Sequence, residues 1–281
     1  MSARNAAPGT STHESFLRHG NFRWAKTAGG IALFALVGYL FFRVPPRPYG
    51  GTWFGYTLGS IGAGLIVWLT LLGIRKRRIN PGNWSLKAWT SAHVYLGLAL
   101  VVVATLHSGF HFGLNVHTLA YALTLLVVLS GVFGVAVYAT LPKALAASRE
   151  ELTQPQMIDA LRAIDRQLDE AAQPLSHDDA EWVVVSLAEQ PLKDGLRARL
   201  AGAPRRSPTR VALAMLGERD RDGPRQRVAA LLARRLTQLE RIRHQQRLRA
   251  LLEVWLYIHV PATVALLAAL SAHVISEFYY W

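Results

Sequence analysis

WTSAHVYLGLALVVVATLHSGFHF, residues Trp89–Phe112, decides how the rest of the chain is read. It is apolar enough to cross a bilayer, yet it carries His93, His107 and His111. An imidazole surrounded by hydrocarbon has to be paired or coordinating, so a histidine inside a spanning segment marks a functional site. A second stretch near the other end, Trp255–Ile275, repeats the device with His259 and His273. Both pairs have the spacing H-x13-H. At about 100° per residue, fourteen steps return a side chain to within about 40° of the same helix face. At 1.5 Å per residue the two histidines of each helix stand roughly 21 Å apart, one toward each membrane surface. Two such helices face to face offer two bis-histidine sites stacked across the membrane, and the natural occupants are two b-type haems (heme b).

At these residues the chain resembles the bis-histidine membrane cytochrome b superfamily, in which two helices each supply two histidines to two haems. The superfamily includes respiratory cytochrome b subunits and ferric-reductase-like proteins. The resemblance covers roughly residues 89–112 and 255–275, and residues 84–141 in general character. It implies a quinone or quinol as the lipid-soluble partner.

Composition narrows the chemistry. The chain has 281 residues, half of them hydrophobic, and no cysteine. Disulfides, cysteine-ligated iron–sulfur clusters, c-type haem attachment and thiolate-ligated haem are thereby excluded from this chain. Its three methionines, Met1, Met157 and Met215, lie outside the spans, which leaves histidine as the axial ligand on both sides. The net charge of +13 belongs to segments that flank apolar spans. It reads as a topology and lipid-headgroup signal, with no nucleic acid implied. No G-x-G-x-x-G follows a strand and no Walker loop is present, so flavin and nucleotide sites have no support.

The pattern predicts an all-α integral membrane protein with five transmembrane helices in a haem-binding bundle and a small cytoplasmic α/β insertion before the last helix. A polar tail covers 1–23 and is read as retained, without the apolar core and cleavage site of a signal peptide. Four spans follow within 24–142: Trp24–Val44 up to Pro45-Pro46, Trp53–Ile74, the third from the Trp84/Trp89 region, and Thr118–Leu141 closed by Pro142. Glycines 55, 59, 62 and 64 give the second span a small-residue face for a neighbouring helix or a flat cofactor. The insertion covers 143–253, with an amphipathic helix over 155–171 and short strands at Trp182–Leu187 (WVVVSL) and Arg210–Leu216. A long basic helix from Pro224 continues into the fifth span, and 254–281 ends in the aromatic run Phe278-Tyr279-Tyr280-Trp281.

Charge sets the orientation. Basic residues gather before the first span, between the second and third at Arg75-Lys76-Arg77-Arg78, and after the fourth, while Arg43 and Arg47 dissent. The positive-inside rule then places the N-terminus and 143–253 in the cytoplasm and the C-terminus outside a cell inner membrane. The third and fifth spans run parallel, so His93 pairs with His259 and His107 with His273. Rotation alone favours His111 over His107 as outer ligand, because eighteen residues return almost to 0°. Depth favours His107, which matches the fourteen-residue rise of His259–His273. His107 is assigned as ligand, and His111 is left for a propionate, a quinone or a third cofactor. His117, at the start of the fourth span, reads as an interfacial histidine without such a task. His13, His19, His177 and His244 read as solvated residues.

The expected activity is that of a haem-carrying membrane subunit of a quinone-linked oxidoreductase. It relays electrons between a quinone pool and a partner redox subunit, an iron–sulfur protein or a c-type cytochrome. The competing reading is a histidine-lined transporter or proton-conducting protein without haem. Such a relay calls for further ionisable residues through the spans, whereas the middle of the third span reads LALVVVAT.

Overall fold

The computed structural model describes residues 16–42, 51–77, 84–146, 154–190, 195–202, 206–217 and 223–279. Arg43, Arg47, Pro45-Pro46, Arg78, His13 and Tyr280-Trp281 lie outside the described residues. Among those described there are nine α-helices and no strand: α1 His19–Phe41, α2 Trp53–Arg77, α3 Leu86–Ser108, α4 Val116–Ala146, α5 Gln154–Ala172, α6 His177–Leu187, α7 Leu196–Ala201, α8 Pro208–Gly217 and α9 Pro224–Tyr279. Five of these, α1 to α4 and α9, are long and apolar enough to cross a membrane. The chain is an all-α protein of multi-pass membrane character.

Two compact units divide the chain, one of residues 1–132 with 258–281 and one of residues 133–257. In the first, small residues bring helices together. Within hydrocarbon, helix association rests on close van der Waals packing, and small side chains permit it. Ala28 and Ala35 of α1 are buried, as are Ala92 and Ala99 of α3, each pair spaced by seven residues. Ala35 packs with Phe54, Leu58, Val103 and Leu106, and Ala28 with Ala92, Leu96 and Ala99. Tryptophans gather at the start of α3: Trp68 stacks on Trp89 at 5.0 Å between centroids, and Trp84 packs on Trp89 and Trp24.

Helix ends follow local capping chemistry. Thr52 Oγ1 accepts the Gly55 N–H at 3.0 Å before α2, and Ser85 Oγ accepts from Ala88 at 3.2 Å before α3, the usual N-cap role of a hydroxyl. At the start of α1, Gly20, Asn21 and Phe22 take left-handed backbone angles. Regular right-handed helix therefore begins at Arg23, beside the expected Trp24. Gly109, at φ 55°, closes α3 in the left-handed conformation that glycine adopts without steric cost. The third helix thus stops at Ser108, short of His111, and the rotational argument for His111 does not apply to a residue outside the helix. Asn115 Oδ1 accepts the Thr118 N–H at 2.9 Å while Thr118 Oγ1 accepts from Gly113 at 3.1 Å. This reciprocal cap starts α4 at Val116 and puts His117 in its first turn.

The second unit corrects the expected α/β insertion. The segments expected as strands, Trp182–Leu187 and Arg210–Leu216, are the helices α6 and α8. In α6 the buried side is Val183 and Ser186, with Trp182 and Leu187 packed against the core, while Val184 is 64% exposed. That is a 3.6-residue period, whereas a strand would alternate. Ser176 caps the helix, and Asp178 and Asp179 occupy its first turn. For α8, Pro208 sits at the first helical position and Ser207 Oγ accepts from Arg210 at 3.2 Å. Thr209, Ala212 and Leu216 form its buried face. The β-branched run favours strand locally, but these caps and the apolar face offered to neighbouring helices prevail over that propensity.

A core of Leu168, Val183, Ala212, Leu216, Val228 and Leu232 joins α5, α6, α8 and α9. Beside it lies a buried polar network. Glu189 accepts the Thr209 N–H at 3.0 Å, the Thr209 hydroxyl at 2.6 Å and Arg243 Nη2 at 2.6 Å. Arg235, 1% exposed, donates to Asp165 at 2.7 Å, to Thr209 Oγ1 at 2.6 Å and to the Glu189 carbonyl at 3.2 Å.

Candidate functional site

Each of the four paired histidines is held through Nδ1, and for His93, His107 and His259 the acceptor fixes the tautomer. His93 Nδ1 lies 3.1 Å from the carbonyl of Leu69, and His107 Nδ1 lies 2.8 Å from that of Gly55. A carbonyl only accepts, so both imidazoles carry their proton on Nδ1 and keep the lone pair on Nε2. The two carbonyls are themselves fourteen residues apart on α2, matching the histidine spacing on α3. On α9, His259 Nδ1 is 2.9 Å from Ser130 Oγ, whose own proton goes to the Val127 carbonyl at 2.8 Å. The serine oxygen is thereby left to accept, and His259 takes the same tautomer. His273 Nδ1 lies 2.6 Å from His117 Nδ1. If His117 accepts there, all four rings offer Nε2. A metal-ligating histidine ordinarily has its other nitrogen held in this way.

At the His107 level the histidines of α3 and α9 meet across the helices. His107 and His273 have ring centroids 6.0 Å apart at 69°. His93 lies within electrostatic reach of His259. Midway between the levels, seven residues beyond His93 and His259, stand Leu100 and Leu266. Both are buried in one apolar cluster with Ile66. Seven residues turn a helix through about 700°, back to nearly the same face. His93–Leu100–His107 on α3 and His259–Leu266–His273 on α9 are therefore two matching rows.

Glycines admit the rings. A Cβ on Gly59 would sit 2.7 Å from His107 Cε1, too close for any real side chain, so glycine there lets the imidazole lie against α2. A Cβ on Gly131 would meet His259 Cε1 at 3.5 Å, an ordinary contact. The glycine face anticipated on α2 is thus divided in use: Gly62 faces Val103 and Leu100 of α3, and Gly59 faces a histidine.

The remaining histidine of the opening stretch stands apart from these rows. His111 is exposed beyond the end of α3, with Nδ1 2.9 Å from the Gly109 carbonyl. His117, read from sequence as an interfacial residue, contacts His273, their rings 4.5 Å apart. Glu277 also joins this end of the unit, accepting from the Tyr56 hydroxyl at 2.9 Å. The H-x3-E spacing of His273 and Glu277 places them on one helix face, a signal present in the sequence. His177 opens α6 as a solvated residue. No family model, curated protein or solved structure matches the chain.

Proposed function

We propose that this chain is the membrane subunit of a quinone-linked oxidoreductase and carries two b-type haems, one between His93 and His259 and one between His107 and His273. The observation that carries the reading is the pair of matching His–Leu–His rows, each histidine held through Nδ1. The donor set fits the group: imidazole is an established haem ligand, and this tautomer points the lone pair of Nε2 away from its anchor. Bound haem supplies one-electron redox chemistry. The chain's residues orient the ligand rings, exclude water with the Leu100–Leu266–Ile66 layer, and keep the two levels about 21 Å apart. Electrons pass between a quinone or quinol pool and a partner redox subunit, an iron–sulfur protein or a c-type cytochrome. The subunit resides in the cell inner membrane, with residues 143–253 cytoplasmic.

The apolar layer between the levels also weighs against a proton-conducting histidine relay, which needs ionisable groups along its path. The deciding experiment is a dithionite-reduced minus oxidised spectrum of the purified protein, with haem counted per chain. Two low-spin b-type haems are expected. A colourless protein from cells supplied with haem would sink the reading and return the histidines to the transporter alternative.

A further inference from the structure

We propose that His117, His273 and Glu277 form a binding site for a divalent transition-metal ion. One donor atom from each of the three lies within 4.8 Å of the others. His273 and Glu277 are four residues apart on α9 and share a face. His117 is brought to them by the Asn115–Thr118 cap that starts α4. Tyr56 donates to Glu277 Oε1 at 2.9 Å, the kind of hydrogen bond that orients a ligating carboxylate.

The imidazole contact agrees with this assignment. Two Nδ1 atoms 2.6 Å apart must share one proton between them. A tetrahedral ion bound at 2.0–2.1 Å sets its donors about 3.3 Å apart, so an opening of about 0.7 Å replaces that proton with a cation. Two imidazoles and a carboxylate select Zn2+, Fe2+ or Co2+, since Mg2+ and Ca2+ take oxygen ligands. His117 is exposed, which gives the ion a way in. Water completes the coordination.

His273 belongs to both this set and the proposed haem ligands. A neutral imidazole has one lone pair, so it serves an iron beside His107 or a cation beside His117, and not both. The ion is therefore a competitor for cofactor at that level. This competition rests on the haem reading, whereas the cation site itself does not.

The test is a Co2+ titration of the full-length protein in detergent, purified haem-free and then again after haem loading, read by ligand-field absorption. One equivalent of Co2+ is expected to bind the haem-free chain, displaced by Zn2+ and indifferent to Mg2+. His117→Ala and Glu277→Gln should each weaken binding at least tenfold. Tyr56→Phe, the mildest change, should weaken it about tenfold, and His177→Ala, at an exposed position of the second unit, should leave it unaltered. Absence of ligand-field absorption, or wild-type affinity in both His117→Ala and Glu277→Gln, would overturn the site. Haem loading should weaken Co2+ binding at least tenfold, and equal affinity with haem at both levels would overturn the shared use of His273. A chain that binds Co2+ but takes up no haem supports the cation site while refuting the proposed function.

Discussion

At the scale of single residues, Gly59 and Gly131 make a useful comparison, because both face a histidine ring but at different clearance. A methyl at Gly59 would stand 2.7 Å from His107 Cε1, whereas one at Gly131 would stand 3.5 Å from His259 Cε1. Gly59→Ala must push the His107 ring off the Gly55 carbonyl or spread α2 from α3. Such overpacking costs about 1–3 kcal/mol. On the proposed haem reading, the expected outcome is selective loss or high-spin conversion of the haem at the His107 level in Gly59→Ala, with both haems intact in Gly131→Ala. Electron paramagnetic resonance and haem counting read this, and equal effects would show that clearance does not govern the ring positions. The histidines were legible in the sequence by spacing, but these clearances were not. Whether a glycine faces a neighbouring helix or an imidazole depends on the rotation of α2 about its own axis. The contact of His117 with His273 was hidden for a similar reason, since the two lie 156 positions apart.

At the scale of elements, the five apolar helices were legible because a span must be long and apolar along its whole length. The end of α3 was less so. Gly109 lies inside an apolar run, and hydropathy does not register a left-handed cap. The segment WVVVSL misled for a different reason. Its β-branched residues favour extended backbone, and only the caps and the period of burial reveal a helix. The helical phase can be tested with one charge moved by one position. Val183 is 1% exposed and Val184 is 64% exposed. Val183→Asp should destabilise the second unit by more than about 3 kcal/mol through an unpaired buried charge, while Val184→Asp should stay within about 0.5 kcal/mol. Hydrogen exchange across residues 177–187 measures both. A larger cost at Val184 would restore the strand.

At the scale of the whole molecule, the charge pattern and the buried network of the second unit make separate predictions. Burial tends to raise the Glu189 carboxyl, but the hydrogen bonds from Thr209 and Arg243 outweigh it and hold it below the ordinary glutamate value. A depressed folded-state pKa stabilises the unit above the ordinary carboxyl range and loses that contribution as the pH falls through and below it. Protease protection of residues 154–257 should therefore decline from about pH 4.5 downward. Arg243 and Glu189 have side chains 8% and 5% exposed, so Glu189→Ala leaves a buried guanidinium unpaired, at a cost of about 3–5 kcal/mol. It should lower protection at neutral pH and flatten the acid decline. Unchanged protection would show that the network is energetically idle. None of these partners was legible beforehand, since a buried arginine and a solvated one look alike in a basic sequence. Reporter fusions at Ala172 and at Trp281 should report opposite sides of the membrane, as the positive-inside pattern requires. Both on one side would break the topology.

The anchors of the four rings differ in how they respond to mutation. On α3, His93 and His107 are held by main-chain carbonyls, Leu69 and Gly55. A point substitution changes a side chain and leaves the carbonyl in place. On α9, His273 is held by a side chain, that of His117, which a single codon change deletes, whereas His259 has the Val127 carbonyl as well as Ser130 Oγ. Genetic variation thus reaches the four rings unequally: the α3 histidines and His259 keep a main-chain partner through any drift in the supporting helices, and His273 alone is adjustable through one side chain of α4.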